Sequence, residues 1–450
     1  MIRMSFNQAA DLLKCTPLQS DLTFTGITSD SRKVVPGMLF AALPGQIVDG
    51  HAYIQQATNN GAVAVLVSQS VSAGLPVLQV TDVLAALGTL AGYWRSECAA
   101  KVIGITGSNG KTTVKEMVAS ILRQEGAVLA TKGNFNNELG LPLTVFQLSK
   151  SHDYAVLEMG ASNPGDIAYL AGIAKPDVGL ITNIGPAHLQ GFINIQGVAR
   201  AKGELFAALQ RNGAAIINAA EPWVDLWLKI NQAERIYYFN GEGKNNIQIR
   251  HIAGDLVVST PVGEFSLQLP LPGQHNLTNA MAATAVCLAL DVPLGQIKSG
   301  LETVKPVPGR LSLKRASAGW IVIDDTYNAN PASLYAALQV LASQDGEPWL
   351  VMGDMKELGA NSRKMHAELG DAARSLGVKR LFALGDASTA AVDAFGDRAI
   401  HFTSRDGLIK TLREELRPGV ACLVKGSRSM GMEHVVNAIS NGYDAHEVNG

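Results

Sequence analysis

The sequence predicts an α/β chain of three domains, the central one a mostly parallel sheet with an antiparallel flap and the last a doubly wound sheet. Three observations carry this. The 450 residues exceed what one ordinary core holds. Apolar residues make up 47% of the chain and charged residues only 17%, so there is ample material to bury. Continuous apolar runs of strand length alternate with helical patterns through most of the chain, as expected of strands buried on both faces.

In residues 1–99, short β-type runs at 62–67 and 76–80 are separated by glycine and polar turns, which predicts a small α/β domain. Residues 100–310 follow with apolar strands at 102–105, 155–157, 178–182 and 214–217, each preceding a helical pattern. Between 247 and 271 the pattern switches to period two in three runs, which predicts the antiparallel flap. Lys305-Pro306-Val307-Pro308-Gly309-Arg310 reads as a linker, because two prolines interrupt any helix. Residues 311–450 then show strands at 320–324, 349–352, 380–384 and 422–425, interleaved with helices at 333–342, 362–375 and 407–416. This is a Rossmann-like arrangement.

Composition excludes several classes. A net charge of −2 gives no general attraction to nucleic acid or to an anionic membrane. Cys15, Cys98, Cys287 and Cys422 lie far apart without a Cys-x-x-Cys pair, which argues against a zinc site or disulfide framework and for a reducing cytoplasm. Arg3 is followed by Asn7, Gln8 and Asp11 before any long apolar run, so no signal peptide is expected. The apolar stretch near residues 280–290 is too short to span a bilayer, so no membrane insertion is expected.

The most informative segment joins the apolar run 102–105 to Thr106-Gly107-Ser108-Asn109-Gly110-Lys111-Thr112-Thr113. Strand, glycine-rich loop and helix follow in the order that a phosphate cradle needs, so the central domain is of P-loop type. Gly107 and Gly110 let the backbone N–H groups of Ser108, Asn109 and Thr113 turn inward; Lys111 would reach the β- and γ-phosphates and the Thr112 hydroxyl would hold Mg²⁺. The spacing departs from the strict Walker pattern, because the residue five before Gly110 is Ile105 and the upstream glycine is Gly104.

Further polar residues follow other apolar strands, where open α/β sheets bind ligands. Glu158 ends a strand and suits a hard cation, or is simply a solvated strand-end acid. His188 follows a Gly185-Pro186 turn and gains weight only from its neighbours. Lys202, in Ala201-Lys202-Gly203-Glu204, reads from spacing alone as a surface lysine, with a phosphate clamp as the alternative. Asn134, Asn136 and Asn137 would hold a polar substrate or form Asx turns. Asn276 and Asn279 would cap a helix or bond an adenine edge. Arg310 could fork onto phosphate oxygens, and the acids at 324 and 325 could accept ribose hydroxyls, Asp325 being the candidate.

Taken together, residues 106–113, 157–161, 183–192, 201–206, 273–282, 308–311 and 324–333 resemble the ATP-dependent Mur ligases of cell-wall synthesis, along almost the whole chain. Thr28-Ser29-Asp30-Ser31-Arg32, Pro36-Gly37-Met38-Leu39-Phe40 and Asp49-Gly50-His51 resemble the members that accept UDP-linked muramoyl peptides. Asp325-Thr326-Tyr327-Asn328-Ala329-Asn330-Pro331 and Gly353-Asp354-Met355-Lys356-Glu357-Leu358-Gly359 resemble the branch that adds a D-alanyl dipeptide.

The resemblance implies an N-terminal domain for the UDP end, a central ATPase and a C-terminal domain that closes on nucleotide and amine. It implies UDP-N-acetylmuramoyl-tripeptide and D-alanyl-D-alanine as substrates, ATP and two Mg²⁺ ions as cofactors, and a monomer. It places Ser29, Asp30, Ser31, Arg32, Asn328 and Asn330 at the substrates. It makes Thr112, Glu158, His188 and a carbamylated Lys202 the metal ligands. The implied reaction runs through an acyl phosphate. The rivals are a folylpolyglutamate-type ligase, a non-catalytic ATP-binding scaffold and, more remotely, a nucleic-acid motor, which would need a basic-aromatic track that the sequence lacks.

Overall fold

The computed structural model describes residues 1–45, 48–186, 189–243, 246–252 and 254–440. Near the N-terminus, Arg3–Ser5 pairs antiparallel with Thr23–Thr25, and four parallel strands follow in the order Ile27–Thr28, Leu39–Ala41, Ala64–Val67, Val77–Gln79. The helix Val83–Ser96 starts where the Asp82 side chain accepts the Ala85 N–H at 3.0 Å, satisfying a donor that the first turn leaves open. It buries Leu87, Leu90 and Trp94. The Trp94 indole N–H then needs an acceptor and finds the Leu148 carbonyl at 2.9 Å, while Arg95 Nε donates to the Ala174 carbonyl at 2.9 Å. One continuous apolar core runs across this junction, from Ile2 through Leu90 to Leu205.

Among the described residues the central sheet has nine strands. Its parallel part runs Arg235–Phe239, Ala214–Asn218, Val178–Ile181, Lys101–Thr106, Tyr154–Glu158, Val128–Ala130. Strand residues alternate between two cores: Ile103 and Ile105 pack with the helices Lys111–Leu122, Gln274–Leu288 and Leu294–Glu302, whereas Val102 packs with Asp166–Ala174 and Ile195–Ala207. Burial on both faces explains the unbroken apolar runs. The flap, Asn246–Ile252, Asp255–Thr260 and Gly263–Leu267, is antiparallel as expected. It extends the same sheet, because Tyr238 and Phe239 pair in parallel with Asn246 and Ile247.

The last sheet has six strands in the order Ser312–Arg315, Ile321–Asp325, Val420–Lys425, Glu347–Gly353, Arg380–Leu384, Ala399–Phe402, all parallel except the first. Separate cores cover its two faces. The strands Ser312–Arg315 and Ala399–Phe402 and the helices Thr389–Phe395 and Glu433–Ser440 were not expected. Both unexpected strands are sheet edges that bury little, so their sequences carry no continuous apolar run.

Candidate active site

The phosphate loop is shaped by two glycines in conformations that other residues rarely adopt, Gly107 at φ 146° and Gly110 at φ 80°. A Cβ on Gly107 would fall 1.9 Å from Thr182 Oγ1, and one on Gly110 would fall 2.5 Å from Asn279 Oδ1. Gly104 belongs to the strand and packs under Leu205 and Met159, which accounts for the departure from Walker spacing. The helix begins at Lys111. Asn109 is held on both sides: its N–H donates to Asn183 Oδ1 at 2.9 Å, and its carbonyl accepts from Thr182 Oγ1 at 2.6 Å and Asn183 Nδ2 at 3.1 Å. Lys111 Nζ donates to the Gly107 carbonyl at 2.7 Å; burial, and then Arg310, lower its pKa while Glu158 opposes this.

Glu158 is 2% exposed, so the solvated strand-end reading is overturned. Thr112 Oγ1 donates to Glu158 Oε2 at 2.8 Å and Asn136 Nδ2 to Oε1 at 2.8 Å. Lys202 is also 2% exposed and lines the same cavity, which overturns the surface-lysine reading. Burial, and secondly the charge of Lys111, push its pKa well below the usual lysine value. Glu204 sits outside that cavity and caps a neighbouring helix, accepting Gly165 N at 2.9 Å and Ala168 N at 3.0 Å. His188 lies outside the described residues.

Two cavities meet at the loop. The larger, about 1050 Å³, is lined from the central domain by Ser108, Lys111, Glu158 and Lys202, together with Asn134, Asn136 and Asn137. From the last domain it takes Tyr327, Asn328, Asn330, Lys356, Ser427 and Arg428. The smaller, about 350 Å³, lies on the other side of Gly110 and is lined by Thr113, His275, Asn276, Asn279, Asp325 and Lys425. Asn109, Gly110, Arg310 and Ser333 border both.

Arg310 bridges the domains. Its Nη2 donates to Thr112 Oγ1 at 3.3 Å, its guanidinium stacks 4.0 Å over the Tyr327 ring, and its buried Nε has no acceptor among the described residues. A buried donor without a partner at the rim of a phosphate loop suits an anionic ligand. Asn330 Nδ2 donates to Asn109 Oδ1 at 2.7 Å, while the Asn330 Oδ1 caps the helix Pro331–Ala342 through Ser333 N.

Several expectations need adjusting. Asn276 and Asn279 are not caps: they sit inside the helix Gln274–Leu288, whose N-cap is Gly273, and bond to Pro272 O and to each other. Asp325 borders the smaller cavity, but its oxygens already hold Lys425 Nζ and the Leu311 N–H. Asp324 turns to Thr326 and Lys314. Asn137 Oδ1 accepts the Gly140 N–H three residues on at 2.9 Å, a local bond at the start of the helix Gly140–Val145. Ser29, Asp30, Ser31 and Arg32 line neither cavity; Asp30 caps the turn Ser31–Lys33 and pairs with Arg32 at 2.9 Å, and the Ser31 hydroxyl donates to Gln56. Lys356, Lys425, Ser427 and Arg428 had no assigned role, although all follow apolar strands of the last sheet by the rule that found Glu158.

The described residues contain no cluster of three His, Cys, Asp or Glu side chains able to hold a metal. The donor set here is of a different kind: a hydroxyl and one buried carboxylate beside a phosphate loop. That set fits Mg²⁺, which takes one or two carboxylates and completes its shell with phosphate oxygens and water.

The chain matches known proteins along most of its length. Residues 23–95 match the Mur ligase family catalytic domain, 105–287 the Mur ligase middle domain and 309–428 the Mur ligase glutamate ligase domain. UDP-N-acetylmuramoyl-tripeptide–D-alanyl-D-alanine ligase of Escherichia coli (strain K12) is 41% identical over 98% of this chain and 99% of its own. A crystal structure of MurF from Acinetobacter baumannii superposes with a TM-score of 0.87 at 35% identity, covering 95% of this chain and 97% of that one. MurF ligase from Thermotoga maritima, solved in complex with ADP, gives 0.82 at 28% identity, covering 92% and 97%. On full-length identity, on all three domain matches and on a shared fold, the chain belongs to the Mur ligase family, in its MurF branch.

Proposed function

We propose that the chain joins D-alanyl-D-alanine to UDP-N-acetylmuramoyl-tripeptide in an ATP-dependent ligation that passes through an acyl phosphate. The observation that carries this reading is the convergence of Lys111, Glu158, Lys202 and Arg310 on one cavity that also reaches Lys356 and Arg428 of the last domain. A carboxylate and an ammonium do not condense in water, so the acid must first be made an electrophile. The Ser108 and Asn109 N–H groups are held by Asn183, so the N–H groups at the start of the helix Lys111–Leu122, with Lys111 and Arg310, gather the triphosphate and neutralise charge as the γ-phosphoryl moves to the peptide carboxylate. Thr112 and Glu158 would hold a divalent cation, which would supply further positive charge to the phosphate oxygens. The base and ribose belong in the smaller cavity, against Asn276, Asn279 and Asp325.

Lys202 is suited to carbamylation, because burial and Lys111 lower its pKa and so enlarge the neutral amine fraction that attacks CO₂, forming an N–C bond and releasing a proton. The product is an anionic oxygen donor, and with His188 it would hold the second cation. Asn134, Asn136, Asn137, Asn328 and Asn330 face the peptide and the dipeptide, whose terminal carboxylate suits Lys356 and Arg428. Ser29, Asp30, Ser31 and Arg32 follow the strand Ile27–Thr28 at its carboxyl end and are assigned to the UDP end. Residues 1–99, 100–310 and 311–450 are the corresponding units. The four cysteines are unpaired and no described helix is long and apolar enough to cross a membrane, in keeping with a cytoplasmic site of action.

ADP release by purified protein tests the reading. Release that needs both the UDP-muramoyl tripeptide and D-alanyl-D-alanine supports it; equal turnover with L-alanine or glutamate in place of the dipeptide overturns it.

A further inference from the structure

Lys115 lies one turn beyond Lys111 in the helix Lys111–Leu122, lines neither cavity, and is 1% exposed. A lysine removed from water needs partners, and its Nζ donates to the Thr131 carbonyl at 2.6 Å and lies 2.7 Å from Glu116 Oε1. Thr131 is itself 2% exposed and directly follows the strand Val128–Ala130. Its Oγ1 accepts the backbone N–H of Glu158 at 3.0 Å. Thr131 also opens the loop that delivers Asn136, whose amide holds the other oxygen of Glu158. Thr112 and Lys115 stand three residues apart on one helix, so both sides of the Thr112–Glu158 pair are referenced to that helix.

We propose that Lys115 is a positioning residue: through Thr131 it fixes the Glu158 carboxylate against Thr112 and so sets the geometry of the cation site. The proposal rests on the reading of Thr112 and Glu158 as cation ligands. Lys115 touches no reacting atom. Its influence runs through the first residue of the Asn136 loop and the strand end at Glu158, complementing the bond from Thr112 of the same helix.

The test is Mn²⁺ binding to the full chain in the presence of ADP, followed by electron paramagnetic resonance, with melting temperatures measured alongside. Lys115→Met should weaken Mn²⁺ about ten-fold and raise the Mg²⁺ concentration needed for half-maximal turnover by a similar factor, as loss of outer-shell support does. Lys115→Arg, which keeps a cationic donor, should stay within about two-fold of the parent. Ser120→Ala removes a bond from the same helix to the Gly300 carbonyl, 2.8 Å long, away from the site. It should lower the melting temperature without moving Mn²⁺ affinity. A folded Lys115→Met with unchanged Mn²⁺ affinity overturns the proposal. Should that variant not fold, Thr131→Val takes its place, and unchanged affinity there overturns it equally. Glu158→Gln separates the two readings: if it too leaves Mn²⁺ affinity unchanged, the cation assignment itself fails.

Discussion

The side-chain amide of Asn330 donates to Asn109 Oδ1 across 2.7 Å, tying the first turn of a helix in the last domain to the phosphate loop of the central one. The same Asn330 caps its own helix, so one residue serves local folding and domain closure together. The two roles separate by substitution. Asn330→Ser keeps a cap but is too short to reach Asn109, and loss of one net hydrogen bond of about 1 kcal/mol predicts a roughly five-fold lower kcat/KM for ATP with little change in melting. Asn330→Ala should lose about 1 kcal/mol of helix stability as well. Steady-state kinetics and thermal melting of the two variants check this.

Lys111→Ala should lower kcat at saturating ATP by on the order of 100-fold to 1000-fold, because a preorganised charge at the transferring phosphoryl is lost. Retention of near-normal kcat would remove Lys111 from that role.

Lys202→Ala should lose turnover, and short carboxylic acids should restore part of it by supplying the missing oxygen donor. Because burial and Lys111 lower the pKa of Lys202, its neutral fraction exceeds that of an ordinary lysine at any given pH. With ¹³C-bicarbonate, a carbamate resonance should therefore appear at a lower pH than for surface lysines and vanish on acidification. Its absence from active enzyme at pH 8 contradicts the assignment.

His366 is wholly buried, accepts the Met355 N–H on Nε2 at 3.0 Å and bonds the Ser362 carbonyl through Nδ1 at 2.7 Å, so it is the neutral tautomer with its proton on Nδ1. Burial lowers its pKa below 6.5. The unfolded chain then binds the extra proton first as pH falls, so this contribution to stability is full above pH 6.5 and is lost as pH falls through the folded value. Acidification should thus lower the melting temperature of the parent more than that of His366→Gln, by roughly 2–4 °C for each kcal/mol lost in a domain of this size. Equal slopes for the two proteins contradict the account.

How much of this was legible in the sequence depended on how local the signal is. Lys111 was visible because strand, glycine-rich loop and helix follow in order, and Glu158 because an apolar strand ending in a polar group marks the ligand side of an open sheet. Lys202 was not separable from a surface lysine by spacing, since its burial is decided by packing of the helix Ile195–Ala207 against other segments. Asp325 read as a free acceptor because its partner Lys425 stands 100 residues away. Asn276 read as a cap because helix onset at Gln274 is fixed by the left-handed Gly273, at φ 94°, and not by a side chain. The edge strand Ser312–Arg315 gave no apolar run, and only its pairing with Ile321–Asp325 defines it.

An acyl-phosphate route requires the peptide carboxylate to take the γ-phosphoryl group before the amine attacks. UDP-muramoyl tripeptide labelled with ¹⁸O in its terminal carboxylate tests this in one turnover with ATP and D-alanyl-D-alanine. One ¹⁸O atom should appear in the inorganic phosphate released. Unlabelled phosphate together with amide product would contradict it.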